Sequence, residues 1–111
     1  MRIEIKGRNV AVDEELRSRV DKKFGKVAKQ VSDLAEMEVE LREERNPSIK
    51  ESQVVEVTLH VKGATLRSRK RSVDMLNAVN LAADDLSRQV KRHREKRRKR
   101  REAHSASPRM A

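Results

Sequence analysis

The chain of 111 residues contains no cysteine, tryptophan or tyrosine, and Phe24 is its only phenylalanine. Without cysteine it cannot form disulfides, thiolate metal sites or a cysteine nucleophile. Modules that read single-stranded RNA usually stack the bases on aromatic side chains, which this chain lacks. If the protein binds nucleic acid, we therefore expect it to bind the phosphates and the shape of a target that is already folded.

Long apolar segments are missing as well. No apolar run approaches the roughly 20 residues that a membrane-spanning helix requires. The alternation of Ile3 and Ile5 begins close to the N-terminus, so we expect no signal peptide before the domain. These features predict a cytoplasmic protein with no membrane partner, and they do not decide between a bacterium and an organelle.

Recurring catalytic and cofactor motifs are absent too. The sequence has no glycine-rich phosphate loop, nucleophile elbow or zinc signature. Asp84 and Asp85 are adjacent, so on a helix they point in different directions and cannot share a proton. His60, His93 and His104 do not have the spacing of metal ligands. We predict a protein that is not an enzyme and has no metal, cofactor or small-molecule substrate.

Positive charge is what the chain has in excess. It contains 28 Lys or Arg against 18 Asp or Glu, for a net charge of +10. Residues 91–111 hold ten Lys or Arg and two Glu, so they carry eight of these ten net charges. Between Lys91 and Arg101, nine of the eleven residues are Lys or Arg. This asymmetry indicates a polyanionic partner, with nucleic acid favoured over an anionic membrane surface.

Hydrophobic periodicity predicts the order strand, helix, three strands, helix. Alternating apolar residues predict strands over 2–6, 35–41 and 55–61 and a fourth after the Lys62-Gly63 turn. Apolar residues at steps of three and four predict one helix from an N-cap at Asp13 to about Gln30, and a second that starts near Ser72. Each helix has one apolar stripe, so both should pack on the same face of a four-stranded mixed sheet. The expected class is α+β with the order β-α-β-β-β-α.

Charged residues alternate with apolar ones in two of the predicted strands. Opposite charges on neighbouring strands stabilise a sheet modestly. We therefore interpret the acidic row as a solvent-facing strand surface that pairs with the basic row, and not as an acidic site. The acidic row is Glu36, Glu38 and Glu40, and the basic row is Arg67, Arg69 and Arg71.

Both predicted helices carry basic residues away from their apolar stripes. At roughly 100° per residue, Lys22, Lys26 and Lys29 fall opposite the apolar stripe of the first helix. Residues four apart lie above one another on a helix, which aligns Arg88, Arg92 and Lys96 in the second. Two such stripes on one side of a sheet could line a common ridge or groove for RNA phosphates, with an affinity that falls as salt rises. A pair of merely solvated helix faces is the alternative.

Two groups of residues resemble a known family, that of the ribosome hibernation-promoting factor and ribosome-associated inhibitor A. The resemblance spans about residues 1–96. Two positions depart from the family pattern: Leu76 stands where Tyr is frequent, and Asp85 where a Lys commonly precedes Leu86. The matching segments are Ile5-Lys6-Gly7-Arg8-Asn9-Val10, Leu16-Arg17, Lys22-Lys23-Phe24-Gly25-Lys26-Val27, Asp74-Met75, Ala78-Val79, Asp84, Leu86 and Arg88-Gln89-Val90.

The resemblance implies the same fold and a function on the ribosome. The family binds the small ribosomal subunit of the 70S ribosome in the channel for mRNA and tRNA, where it blocks translation and preserves inactive ribosomes during stationary phase or stress. Carrying the family's basic helix positions over gives Lys23, Lys26 and Lys29 on the first helix and Arg88, Arg92 and Lys96 on the second. Lys22 and Lys91, which belong to the same basic stretches, complete the set of candidate rRNA-binding residues. The set is Lys22, Lys23, Lys26, Lys29, Arg88, Lys91, Arg92 and Lys96.

The domain organisation follows from the same resemblance. We expect a ribosome-binding domain over residues 1–96 and a basic, disordered tail over 97–111. Long members carry a second, C-terminal domain that pairs two ribosomes, so a chain that ends at Ala111 is expected to be a short, monomeric form. The alternative function is general binding of structured RNA or of the nucleoid through the basic tail.

Overall fold

The structure, a computed structural model, describes residues 2–106, with side chains as far as Arg101. The order β-α-β-β-β-α is the one predicted. The elements are β1 (Arg2–Arg8), α1 (Glu14–Ala28), β2 (Glu36–Glu43), β3 (Gln53–Val61), β4 (Ala64–Ser72) and α2 (Met75–Ala106).

The four strands form one mixed sheet in the order β1-β2-β3-β4. Strand β1 pairs with β2 in parallel, which requires a crossover, and α1 provides it. The pairs β2–β3 and β3–β4 are antiparallel. Gly63 forms the tight turn between β3 and β4 with a positive φ of 81°, a conformation that glycine adopts without steric cost.

The core lies between the helices and one face of the sheet, as the apolar stripes predict. Helix α1 contributes Val20 and Phe24, which are fully buried, and α2 contributes Val79 and Leu86. The segment just after α1 also touches α2, through a hydrogen bond that Gln30 Nε2 donates to Ser87 Oγ over 3.3 Å. Burying a Val, Leu or Phe side chain contributes roughly 1.5–3 kcal/mol, so this shared apolar layer holds both helices on the same side.

Each helix begins at an aspartate. Asp13 caps α1 by accepting a hydrogen bond from the Leu16 backbone N–H over 2.8 Å. The Asp74 carboxylate accepts the Asn77 backbone N–H over 3.3 Å at the start of α2. Helix α1 ends at Ala28, two residues before the predicted end at Gln30.

Helix α2 is much longer than the sheet it packs on. Its last fully buried residue is Val90, yet the helix continues to Ala106. At 1.5 Å per residue, this extension is about 24 Å long. It includes residues 97–106, where the sequence predicted the start of a disordered tail, and residues 107–111 lie outside the described part of the chain. The division between a domain and a tail at residue 96 stays a prediction.

The predicted pairing of the acidic row on β2 with the arginines of β4 is wrong. Strand β3 lies between β2 and β4, so the two rows are about 9–10 Å apart. Glu40 Oε1 instead lies 3.6 Å from Arg42 Nη1 and 4.0 Å from Arg8 Nη1. Arg42 also donates a hydrogen bond to Glu56 Oε2 over 3.3 Å. The acidic row is nevertheless on the solvent-facing side of the sheet, as predicted.

Candidate nucleic-acid interface

Helix α1 presents its lysines to solvent because they lie opposite its buried stripe. Lys22, Lys26 and Lys29 are exposed, and Lys23, which is closer to the buried side, is half-buried. The last turn of a helix has exposed carbonyl groups that carry partial negative charge, so Lys26 there also stabilises the helix.

Helix α2 exposes all four of its predicted binding residues, but on two flanks. Arg92 and Lys96 line a groove against the start of β4, together with Ala64 and Leu66. Lys91 lies about 100° around the helix from Arg92 and borders a surface hollow with Arg94, Glu95 and Arg98. A row of residues four apart winds by about 40° per step, so the row from Arg88 to Lys96 turns around the helix.

Two hydrogen bonds show which flank of α2 faces α1 and which flank faces β4. Ser87 accepts from Gln30, just beyond the end of α1, whereas Gln89 Nε2 donates to the Arg67 carbonyl oxygen of β4 over 2.7 Å. Lys91 is one turn beyond Ser87 and therefore lies towards α1. Arg92 and Lys96 lie towards β4. The structure thus brings Lys91 to the α1 side and keeps Arg92 and Lys96 together on the other flank.

Two cations that sequence reasoning did not select lie at the C-terminal end of α1. Arg94 and Arg97 line a groove with Gln30, Val31 and Ser32. The charge run from residue 91 to 101 could have indicated them. Their position beside α1 could not be read from the sequence, since it depends on how the two helices are aligned.

One buried polar atom lies in the same region. His93 is half-buried beside Val90 and Leu66, as its helical position predicts, and its Nε2 has no hydrogen-bond partner within the described residues. An imidazole held in this way fills space between the helix and β4, so we assign it no binding role.

Asp85 is an anion within this basic region. Its Oδ2 accepts hydrogen bonds from Ser68 Oγ over 2.6 Å and from Gln89 Nε2 over 3.0 Å. The bond from Ser68, partly offset by burial and assisted by Gln89, Lys70 and Arg88, lowers the pKa of this carboxyl below its ordinary value. Asp85 therefore anchors α2 to β4.

Within residues 2–106, no helix is long and apolar enough to cross a membrane. The same part of the chain contains no cluster of His, Cys, Asp or Glu that is placed to hold a metal ion.

Together, the fold and the exposed cations define a small α+β protein with a cationic helical surface, suited to a polyanion. The sequence model of the family described as Sigma 54 modulation protein / S30EA ribosomal protein matches residues 3–98, and the chain belongs to this family. The family prediction made from the sequence is thereby confirmed.

Similar proteins carry names that refer to ribosome hibernation. A "Ribosome hibernation promotion factor" from Bacillus subtilis is 35% identical over 96 residues, which cover 86% of this chain and 50% of the relative. A "Ribosome hibernation promoting factor" from Salmonella typhimurium is 32% identical over 96 residues, covering 86% of this chain and 96% of the relative. The chain therefore spans about half of some relatives and nearly all of others.

Two solved structures have the same fold. A ribosomal subunit interface protein from Coxiella burnetii has a TM-score of 0.72 at 20% identity, over 86% of this chain and 99% of that one. The N-terminal domain of Protein Y from Thermus thermophilus has a TM-score of 0.72 at 24% identity, over 84% of this chain and 99% of that one. They confirm the predicted two helices on a four-stranded mixed sheet.

Proposed function

We propose that the protein is a ribosome hibernation factor that binds the rRNA of the small subunit in the channel for mRNA and tRNA. Family membership and the names of its relatives support a function on the ribosome. The observation that carries the mode of binding is that none of the eight candidate cations forms an ion pair within the described residues. Their charge is therefore available to a partner outside the chain.

The mechanism requires no chemical step. Lysines of α1 and cations of α2 replace the counterions on rRNA phosphates, and the released counterions drive binding. The body of the domain then occupies the space that mRNA and tRNA need. Translation stops because of steric exclusion, and the inactive ribosome is kept intact during stationary phase or stress.

Co-sedimentation with purified small ribosomal subunits at increasing salt tests the proposed surface. Reversing one charge on each helix, Lys26→Glu with Arg92→Glu, should abolish most binding because two attractive contacts become repulsive. A matched control, Arg2→Glu with Lys50→Glu, changes the net charge equally at exposed positions outside both helices. Equal binding of the two variants would contradict the assignment of the helices as the binding surface.

The charge run of α2 favours a second candidate, a general binder of structured RNA or of the nucleoid. Deleting residues 97–111 separates the two functions. A general binder that acts through this segment should lose nearly all affinity for small subunits and for unrelated double-stranded RNA. A hibernation factor should lose only part of its affinity for subunits, because the lysines of α1 and the cations before residue 97 are retained.

We propose further that the protein itself is monomeric and acts in the cytoplasm without cofactor or membrane. Sucrose-gradient profiles of ribosomes incubated with it distinguish silencing of single 70S ribosomes from their pairing. Sedimentation of the protein alone at the concentration used in those gradients measures its own oligomeric state. A stable dimer would contradict the monomer proposal.

A further inference from the structure

The face of the sheet opposite the helices carries a second concentration of positive charge. Beside the end of β1 and of β2 there is a depression that five arginines line, together with Asn9, Glu43 and Glu44. Five arginines against two glutamates leave it cationic. We call it the arginine depression, and its cations are Arg8, Arg42, Arg45, Arg69 and Arg71.

The strand register places these arginines together. Arg8 lies opposite Arg42, and Arg42 is in turn two strands from Arg71, with Val54 between them. Arg69 and Arg71 are two residues apart on the same face of β4, about 6.6 Å. This spacing is comparable with that of successive phosphates along a nucleic-acid strand.

Ion pairs within the protein neutralise only part of the charge of the arginine depression. Like charges directly opposite each other on paired strands destabilise a sheet, and Arg8 faces Arg42 in this way. Glu40 Oε1 lies between the two arginines, 3.6 Å from Arg42 Nη1 and 4.0 Å from Arg8 Nη1, and Glu56 also pairs with Arg42, so this repulsion is offset. Arg45, Arg69 and Arg71 form no ion pair within the described part of the chain, so their charge is available to a partner.

The outer face of the sheet is closely packed beside the depression. Val54 lies on this outer face, outside the main core, yet it is fully buried. Its register neighbours are Arg42 and Arg71, whose aliphatic stems are placed to cover it. Stems packed in this way restrict the guanidinium groups before a ligand arrives, which lowers the entropy cost of binding.

The chemistry of the depression favours phosphate over a protein segment. All five cations are arginines, whereas the four candidate cations on α1 are all lysines. The planar fork of arginine can bind two oxygens of one phosphate, while lysine acts as a point charge. The residues that line the depression are all polar or charged, so it offers no apolar side chain to anchor a peptide, and protein interfaces depend on such buried anchors.

We propose that the arginine depression binds the phosphates of a second rRNA segment, on the side of the domain opposite the helices. This inference rests on the proposed function and deepens it. The domain would then be held between two walls of folded RNA, with lysine-rich contacts on one side and arginine contacts on the other. Binding from both sides would fix its orientation in the channel.

Affinity measurements with small subunits test the depression separately from the helices. Arg69→Gln with Arg71→Gln should weaken binding about ten- to thirtyfold at 0.1 M salt and lower the slope of log affinity against log salt by roughly 1.5, the effect of losing two phosphate contacts. The matched control is Arg2→Gln with Arg67→Gln. It removes the same charge from the same face, at residues that do not line the depression, and should change affinity less than threefold.

The absence of cysteine allows a second test that leaves the arginines intact. A hydroxyl-radical probe on Glu43→Cys, beside the depression, and one on Asp84→Cys, on α2, should cleave different segments of the rRNA. Both variants are made in the full-length chain, and an unattached probe with the wild-type protein gives the background.

The outcomes distinguish failure of the proposed function from failure of the arginine depression as a binding site. If the wild-type protein fails to bind small subunits, both are overturned. If it binds, but the depression variant matches its control and the Glu43→Cys probe gives only background cleavage, the helical surface stands and the arginine depression is wrong. Loss of affinity without rRNA cleavage from Glu43→Cys would indicate an acidic ribosomal protein as the partner, and would also overturn the RNA assignment.

Discussion

At the scale of single residues, Gly7 and Gly25 differ in the space available for a larger side chain. Gly25 lies inside α1, and a Cβ atom added there would meet nothing within 4 Å. Gly7 lies in β1, where a Cβ would be 2.5 Å from the Val10 carbonyl oxygen and 2.8 Å from Val12 Cγ2. Gly7 is therefore the glycine that another part of the chain approaches closely, which sequence patterns cannot reveal. Gly25 only lowers the helix propensity of α1.

Gly25→Ala should accordingly stabilise the protein by about 0.5–1 kcal/mol, since alanine loses less backbone entropy in a helix. Urea unfolding followed by circular dichroism measures the change. Gly7→Ala is the contrasting variant, and the forced shift of backbone should destabilise it by about 1–3 kcal/mol. A destabilised Gly25→Ala variant would show that α1 is packed against something at this position.

Asp85 gives a prediction about pH. Its folded pKa is lowered, chiefly by the Ser68 hydrogen bond, so its contribution to stability is present above the ordinary aspartate pKa of about 3.9 and is lost as pH falls below that value. Asp85→Asn should lower the free energy of unfolding by roughly 1 kcal/mol at pH 7. This value is small for a hydrogen bond to a charged acceptor, because the site is half-exposed. At pH 3, below the ordinary aspartate pKa, the difference should be smaller.

Unfolding in urea at both pH values measures this difference. Asp84→Asn is the matched control, because it makes the same charge change at the neighbouring, exposed position. If the difference in the free energy of unfolding between Asp85→Asn and the wild type stays constant from pH 7 to pH 3, the ionised carboxylate is not the source of this stability.

At the scale of elements, α2 changes character along its length. Up to Val90 it is held by apolar burial. From residue 91 to 101 no side chain is fully buried, and cations recur four apart, as in Arg92, Lys96 and Arg100. Like charges at this spacing oppose helix formation by a few tenths of a kcal/mol per pair.

We therefore expect the helix content of the full chain, measured by circular dichroism at 222 nm, to rise when salt is increased from about 10 mM to 500 mM, because salt screens these repulsions. Lys96→Glu creates opposite-charge pairs with Arg92 and Arg100, so it should raise helix content at low salt and weaken the salt response. A signal independent of salt in the wild type would contradict this account of the extension.

The elements also show what sequence patterns can and cannot predict. Alternation in β2 and the apolar stripe of α1 predicted both elements because burial imposes these periods locally. The position of β3 between β2 and β4 has no local signature, so the ion pairs of Glu40 were assigned to the wrong strand. For the same reason, arginines from β1, β2, β4 and a loop did not indicate one depression until the register was known. The sequence showed the basic row on β4, but not that arginines of β1, β2 and a loop lie beside it.

At the scale of the whole molecule, the proposed mechanism is exclusion from a shared space, and exclusion is reciprocal. If the domain and an mRNA–tRNA pair cannot occupy the small subunit together, each must lower the apparent affinity of the other to the same extent. We predict that saturating mRNA and tRNA raise the apparent Kd of the protein in proportion to their concentration, without a plateau. A plateau would mean that both ligands bind together and that silencing has another cause. The Lys26→Glu, Arg92→Glu variant is the control, since a protein that does not enter the channel should leave mRNA and tRNA binding unchanged.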